Sequence, residues 1–195
     1  KFDFDGLAEV GRKYFDTLRN TYSFFALYAN IDEVVARAAK EKLTVEAYLE
    51  KHAGEPDRFD KWITSRYHSL VQNVTAALDQ YEITRPVRAI QSFVIDDLSN
   101  WYVRNNRRRF WAKADDPSKM RAYLTLWRVL EGVCRLSAPI APFTSELLWK
   151  ELVGDRASTD GLPISVHMMT YPKADKSQID ESLEETMDLA ARIVS

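Results

Sequence analysis

The sequence predicts an all-α fold, a helical bundle of four to five main helices. Apolar residues recur at three- and four-residue spacings through most of the chain, as on one face of an α-helix. Only 6 Gly and 7 Pro occur among 195 residues, which is few for a loop-rich or all-β protein. With 46% hydrophobic and 29% charged residues, the chain has the composition of a globular protein long enough to bury a core.

The first half of the chain contains two long helical patterns separated by a polar stretch. Residues 7–29 form the first helix, and residues 58–81 form the second. Residues 31–55 between them are polar and alanine-rich, which indicates a short helical insertion with little core of its own. Pro56 interrupts the helical pattern, and Asp57 is placed to cap the helix that follows.

A long helix begins at Thr84–Pro86 and continues to Trp111. Its predicted core stripe consists of Ile90, Phe93, Val94, Leu98 and Trp101.

The last helices are marked by their start and stop residues. Asp116-Pro117 starts a helix, Pro139 and Pro142 end it and start a shorter one, and Gly154 is a stop signal. Residues 155–176 are loop-like, with at most a short strand or hairpin near 164–172, and an acidic helix follows. The predicted organisation is a bundle over residues 1–153, and a loop, short strand and acidic helix over 154–195 that lead toward a further C-terminal region.

Asn100–Trp111 is the most informative segment. It reads NWYVRNNRRRFW, with four arginines, four aromatic residues and no acid. Guanidinium groups bind phosphates and flat rings stack on unpaired bases, so this mixture is typical of proteins that bind single-stranded or looped RNA. The net charge of −2 means that any basic surface must be local.

Helical geometry divides these residues between two faces. At 100° per residue, Asn100, Arg104, Arg107 and Trp111 fall within a sector of roughly 60° that flanks the core stripe. Trp101 and Phe110 are predicted to pack in the core instead. From these residues alone, RNA binding and a plain solvated surface at a helix end both remain open.

Several other functions lack their motifs. A single cysteine, Cys134, excludes an internal disulfide or a multi-cysteine zinc site, and its apolar neighbours predict a buried thiol. There is no Gly-rich phosphate loop, no nucleophile motif and no histidine pair at metal-ligand spacing. No apolar run approaches the roughly 20 residues of a membrane span and no signal peptide is evident, so we expect a cytoplasmic protein.

At this point the sequence resembles a known family. Stretches such as Leu18–Phe25, Asp96–Arg104, Arg107–Trp111 and Ala138–Trp149 are similar to the anticodon-binding domain of isoleucyl-tRNA synthetase, a class Ia aminoacyl-tRNA synthetase. The similarity covers nearly the whole chain and is weakest over residues 31–55. The Asn-Trp-Tyr-Val-Arg block favours the isoleucine enzyme over the valine, leucine and methionine enzymes.

The resemblance implies a domain that binds the anticodon loop and stem of the isoleucine tRNA, within a longer, monomeric ligase. The ATP and Mg²⁺ sites and the catalytic motifs are expected in a separate upstream domain, so this part of the chain has no catalytic site, cofactor or metal of its own. A helical protein-interaction module, with arginines that contact an acidic partner, is the alternative from a different class. The resemblance and the arginine pattern assign these residues to RNA binding: Asn20, Asn100, Arg104, Arg107, Arg108, Arg109 and Trp111. Asn20 is expected to read a base, Trp111 to stack on one, and Arg104, Arg107 and Arg108 to hold phosphates.

Overall fold

The computed structural model describes residues 11–154 and 160–194. Within these ranges the chain forms α-helices, π-helical and 3₁₀ segments and loops, with no β-strand, so the all-α prediction is confirmed. The α-helices are α1 (Asp16–Ile31), α2 (Val34–Lys40), α3 (Val45–His52), α4 (Arg58–Asp79), α5 (Thr84–Ser92), α6 (Arg104–Phe110), α7 (Pro117–Ser137), α8 (Pro142–Val153) and α9 (Glu181–Val194). A π-helical turn, Gly11–Phe15, precedes α1, and the predicted start of that helix at residues 7–10 lies outside the described residues.

Four long helical segments, which we call rods, build the bundle. They are α1, α4, the continuous helix from Thr84 to Phe110, and α7. Rods α1 and α7 are antiparallel, since Tyr14 near the start of α1 lies 3.1 Å from Ser137 at the end of α7. Conversely, the hydroxyl of Tyr123, early in α7, donates to Asp32 just after α1. We call the end of the bundle where α1 and α6 finish and α4 and α7 begin the Trp111 end.

Helix boundaries follow the predicted signals. Asp57 and Asp60 form a capping box at the start of α4: each carboxylate accepts the other residue's backbone N–H, at 2.9 and 3.1 Å. Asp116 accepts two backbone N–H groups at the start of α7. Pro142 opens α8, and Gly154 ends it with a positive φ of 59°, a conformation that favours glycine.

The third rod is continuous but is not an ordinary α-helix throughout. Its middle, Phe93–Val103, is π-helical, with wider i→i+5 hydrogen bonding. One set of buried positions repeats every four residues along the rod, at Val94, Leu98, Tyr102, Asn106 and Phe110, and Phe93 and Val103 are buried beside it. The predicted 3.6-residue stripe placed Trp101 at its centre, but the wider winding turns Tyr102 inward instead, and Trp101 is only partly buried.

The segment predicted to be an insertion contributes side chains to the main core of the bundle. Val34, Ala38 and Leu49 are at most 1% exposed and belong to the same apolar cluster as the long rods. Helix α3 packs along α7.

The region after α8 contains no strand in its described part. Val166–Met168 is a short 3₁₀ helix, because Ser165 accepts the N–H of His167 and the Glu146 carboxylate accepts the N–H of Val166. These capping bonds hold the predicted hairpin segment in a turn, and no described strand lies beside it to pair with. Residues 155–159 of the predicted loop are outside the described ranges.

Helix α9 lies along α4. Glu184 accepts hydrogen bonds from the hydroxyls of Ser65 and Ser69, and the backbone N–H of Asp180 donates to Ser65 at 2.8 Å. None of the helices in the described ranges is both long enough and apolar enough to cross a membrane.

Candidate nucleic-acid interface

Three arginines of the Asn100–Trp111 segment are exposed. Arg104, Arg107 and Arg108 all lie on α6 and extend into solvent. Within the described ranges, no carboxylate lies within 4.0 Å of any of the three guanidinium groups. None of the three therefore forms an ion pair within the described ranges, although Arg104 lines a groove together with Asp96, Asp97 and Asp188.

The fourth arginine of the segment has a different environment. Arg109 donates to both oxygens of Asp60, at 3.1 and 2.8 Å, and to Asp57 at 3.0 Å. Its side chain is 14% exposed and that of Asp60 is 1% exposed. Arg109 also bonds to Ser118, the second residue of α7, so it ties the end of α6 to the starts of α4 and α7.

Tyr102 completes this buried network. Its hydroxyl donates to Asp60 at 2.7 Å, and burial raises the pKa of the phenol well above its ordinary value. The phenol therefore stays protonated and donates at any physiological pH. The arginine pattern predicted that Arg109 binds RNA, but its guanidinium group is bonded to Asp57 and Asp60 instead, so we leave it out of the interface.

Trp111 follows α6 directly and is 64% exposed. Its indole Nε1–H donates to the hydroxyl of Tyr28, near the end of α1, at 2.8 Å. The Tyr28 ring lies 5.0 Å from Phe24 and 6.1 Å from the fully buried Phe110. An exposed ring is thus connected to the aromatic core through Tyr28, a residue that the sequence analysis did not select, because it lies 83 positions away in the chain.

The two candidate asparagines are also exposed. Asn100 lies one turn before Arg104, at the edge of a groove that includes Trp62, Asp96 and Asn105. Asn20 is on the solvent side of α1, two turns before Tyr28. The structure places Asn100 with the exposed arginines on one rod, and Asn20 on the neighbouring rod.

Two buried titratable groups outside this segment have structural roles. Arg66 donates to Asp97 at 3.0 and 3.1 Å, and burial raises the pKa of Asp97 to about 6. Burial also raises the pKa of Cys134, which is 1% exposed, so the predicted buried thiol is confirmed. In the described ranges, no group of three His, Cys, Asp or Glu side chains is arranged to hold a metal ion.

Comparison with known proteins decides the family. Residues 60–195 match the family described as the anticodon-binding domain of tRNA ligase. The chain belongs to this family. The isoleucine–tRNA ligase of Cytophaga hutchinsonii is 46% identical over all 195 residues, and that of Porphyromonas gingivalis is 44% identical over the same length. The isoleucine–tRNA ligase of Thermus thermophilus is 39% identical over 95% of the chain.

The chain spans only 16–17% of the length of these ligases. The match to the anticodon-binding family begins at Asp60, the buried carboxylate that holds Arg109 and Tyr102. The anticodon-binding domain therefore includes the rod that carries the exposed arginines and Trp111. Helix α1, with Asn20 and Tyr28, precedes the matched residues but lies within the similarity to the ligases.

Proposed function

We propose that this domain binds the anticodon loop of a tRNA through six exposed side chains, one on α1 and five on the rod that leads into Trp111. The observation that carries the proposal is the set of three arginines without a carboxylate partner in the described ranges, on the helix that leads directly into an exposed tryptophan. The proposed interface consists of Asn20, Asn100, Arg104, Arg107, Arg108 and Trp111.

Each type of side chain has a distinct role. The three guanidinium groups neutralise phosphates, which gives affinity without sequence preference and makes binding sensitive to salt. The Trp111 ring stacks on an unpaired base, which contributes about 1–3 kcal/mol. The amides of Asn20 and Asn100 hydrogen-bond base edges, which is where discrimination between anticodons arises.

We further propose that the tRNA is the isoleucine acceptor and that the parent protein is an isoleucine–tRNA ligase. The similarity over the whole chain to ligases of that name supports this choice. In the parent protein, ATP and Mg²⁺ serve the charging reaction in an upstream catalytic domain, and the domain described here selects the tRNA. We expect the parent to be monomeric and cytoplasmic.

The direct test is a gel shift with the isoleucine tRNA and with the same tRNA carrying a swapped anticodon. We expect tighter binding to the first, and weaker binding of both when Arg107 is replaced by alanine. Arg88→Ala is the matched control, since Arg88 is exposed on the same rod, outside the interface, and has no carboxylate within 4.0 Å in the described ranges. Equal affinity for both tRNAs would contradict anticodon recognition, and equal effects of the two variants would contradict the location of the interface.

A further inference from the structure

We propose that Tyr28 is a positioning residue that holds the indole of Trp111 in the orientation in which it stacks on an unpaired base. The inference rests on the proposed function and adds to it a residue of α1 and a defined two-ring site. The two side chains are joined by the 2.8 Å hydrogen bond from the indole Nε1–H to the Tyr28 hydroxyl.

Trp111 has little else to fix its side chain. It is the first residue beyond α6, and its backbone N–H still bonds to Arg108, but its side chain is 64% exposed and so has few packing neighbours. A large exposed side chain normally samples several rotamers, and ordering it on binding costs entropy. The bond to Tyr28 restricts the ring before RNA arrives.

Tyr28 is itself firmly held, and it can therefore act as an anchor. Its ring makes a T-shaped contact with Phe24 at 5.0 Å and a tilted contact with Phe110 at 6.1 Å. Phe110 is fully buried and contacts Tyr123 in α7 at 5.3 Å. A chain of aromatic contacts thus runs from the core of the bundle to the exposed indole, and its last link is the Tyr28–Trp111 hydrogen bond.

The surroundings suit a nucleobase. Leu27 and Ile31, which are close to Tyr28 on α1, are 55% and 65% exposed and add apolar surface to the end of this helix. Arg107 and Arg108 lie within one turn of Trp111 and supply positive charge for the phosphates on either side of a stacked base. Flat aromatic surface bordered by arginine is the arrangement that binds single-stranded nucleic acid.

The test is a double-mutant cycle with Tyr28→Phe and Trp111→Ala, using tRNA affinity as the measurement. Tyr28→Phe keeps the ring contacts with Phe24 and Phe110 and removes only the acceptor oxygen. We expect it to weaken tRNA binding about two- to tenfold, the range for loss of one neutral hydrogen bond, without changing the melting temperature appreciably. Trp111→Ala should weaken binding roughly five- to 150-fold.

The double variant distinguishes a positioning role of Tyr28 from an unspecific effect of the substitution on the structure. If Tyr28 acts through Trp111, then Tyr28→Phe has no further effect once Trp111 is alanine. Tyr22→Phe is the matched control: Tyr22 lies on the same helix, and its hydroxyl donates to the backbone carbonyl of Glu151 in α8, a helix that carries no residue of the proposed interface. The Trp111 indole N–H signal in an NMR spectrum should shift in Tyr28→Phe and not in Tyr22→Phe.

Two results would overturn the inference. If Trp111→Ala weakens binding while Tyr28→Phe binds as wild type, or if the two effects are additive, Tyr28 does not position the stacking ring. If Trp111→Ala itself binds tRNA as wild type, the stacking role in the proposed function fails, and the positioning role fails with it.

Discussion

Replacing Arg109 by alanine should destabilise the fold severely, although Arg109 belongs to a run of arginines on an apparent surface helix. The substitution leaves the Asp60 carboxylate, which is 1% exposed, without its cationic partner. Tyr102 and the backbone N–H of Asp57 would still donate to it, but neither carries a charge. A buried ion cannot be moved back into water without opening the start of α4.

The magnitude follows from the burial of the pair. Removing one partner of a buried ion pair costs about 3–5 kcal/mol, whereas an exposed substitution usually changes stability by less than about 0.5 kcal/mol. Against a typical total of about 5–15 kcal/mol, Arg109→Ala removes a large fraction of the free energy of unfolding. For a chain of this size, we expect a fall in melting temperature of roughly 6–20 °C.

The assay is chemical and thermal unfolding of Arg109→Ala beside Arg107→Ala, which removes an exposed arginine from the same helix. Only the first should be strongly destabilised. Asp60→Asn added to Arg109→Ala should recover part of the loss, because no uncompensated charge then remains buried. Equal stability of the two single variants, or a purely additive double variant, would refute the assignment of Arg109 to the buried network.

Three other outcomes can be measured directly. Arg104→Ala or Arg107→Ala should reduce the slope of log affinity for tRNA against log salt by about 0.7–0.9, and an unchanged slope would show that the residue contacts no phosphate. Trp101→Ala should lower the free energy of unfolding, measured in a urea melt, by up to about 3 kcal/mol. The loss should be smaller than for a fully buried tryptophan, because Trp101 packs on the core but is only partly buried. The pKa of Asp97 is raised to about 6, above its unfolded value near 3.8, so wild type should gain stability relative to Asp97→Asn as pH falls from 7 to 4, by at most about 3 kcal/mol. Parallel stability curves for wild type and Asp97→Asn would contradict that raised pKa.

Local signals in the sequence were sufficient for the starts of α4 and α7 and for the end of α8. Asp57, Asp116 and Gly154 act through backbone groups within four residues of themselves, so their roles can be inferred from neighbouring positions alone. The π-helical winding of Phe93–Val103 carries no comparable local signal. A 3.6-residue period therefore predicts the wrong inward-facing residue in this segment: it selects Trp101, whereas the buried residue is Tyr102.

In the candidate interface too, the sequence pattern predicts which side chains are exposed but not which distant residues they contact. The exposed face of the rod could be inferred from helical periodicity, which grouped Asn100, Arg104, Arg107 and Trp111, all four of which are exposed in the structure. By the same geometry, Arg109 falls about 200° from Arg107, on the other side of the helix. Its partner Asp60 is 49 residues away in the chain, so no local pattern could identify the pair.

The contrast between Arg109 and its neighbours explains how one short segment can serve both stability and binding. Arg109 and Phe110 face the bundle and fix the end of α6 against α4, α7 and α1, through an ion pair and through ring contacts. Arg107, Arg108 and Trp111 then project from a helix end that cannot move relative to the rest of the bundle. If the exposed arginines bind phosphate as proposed, their side chains lose less entropy because the backbone is already fixed, and the buried arginine supports them without touching RNA.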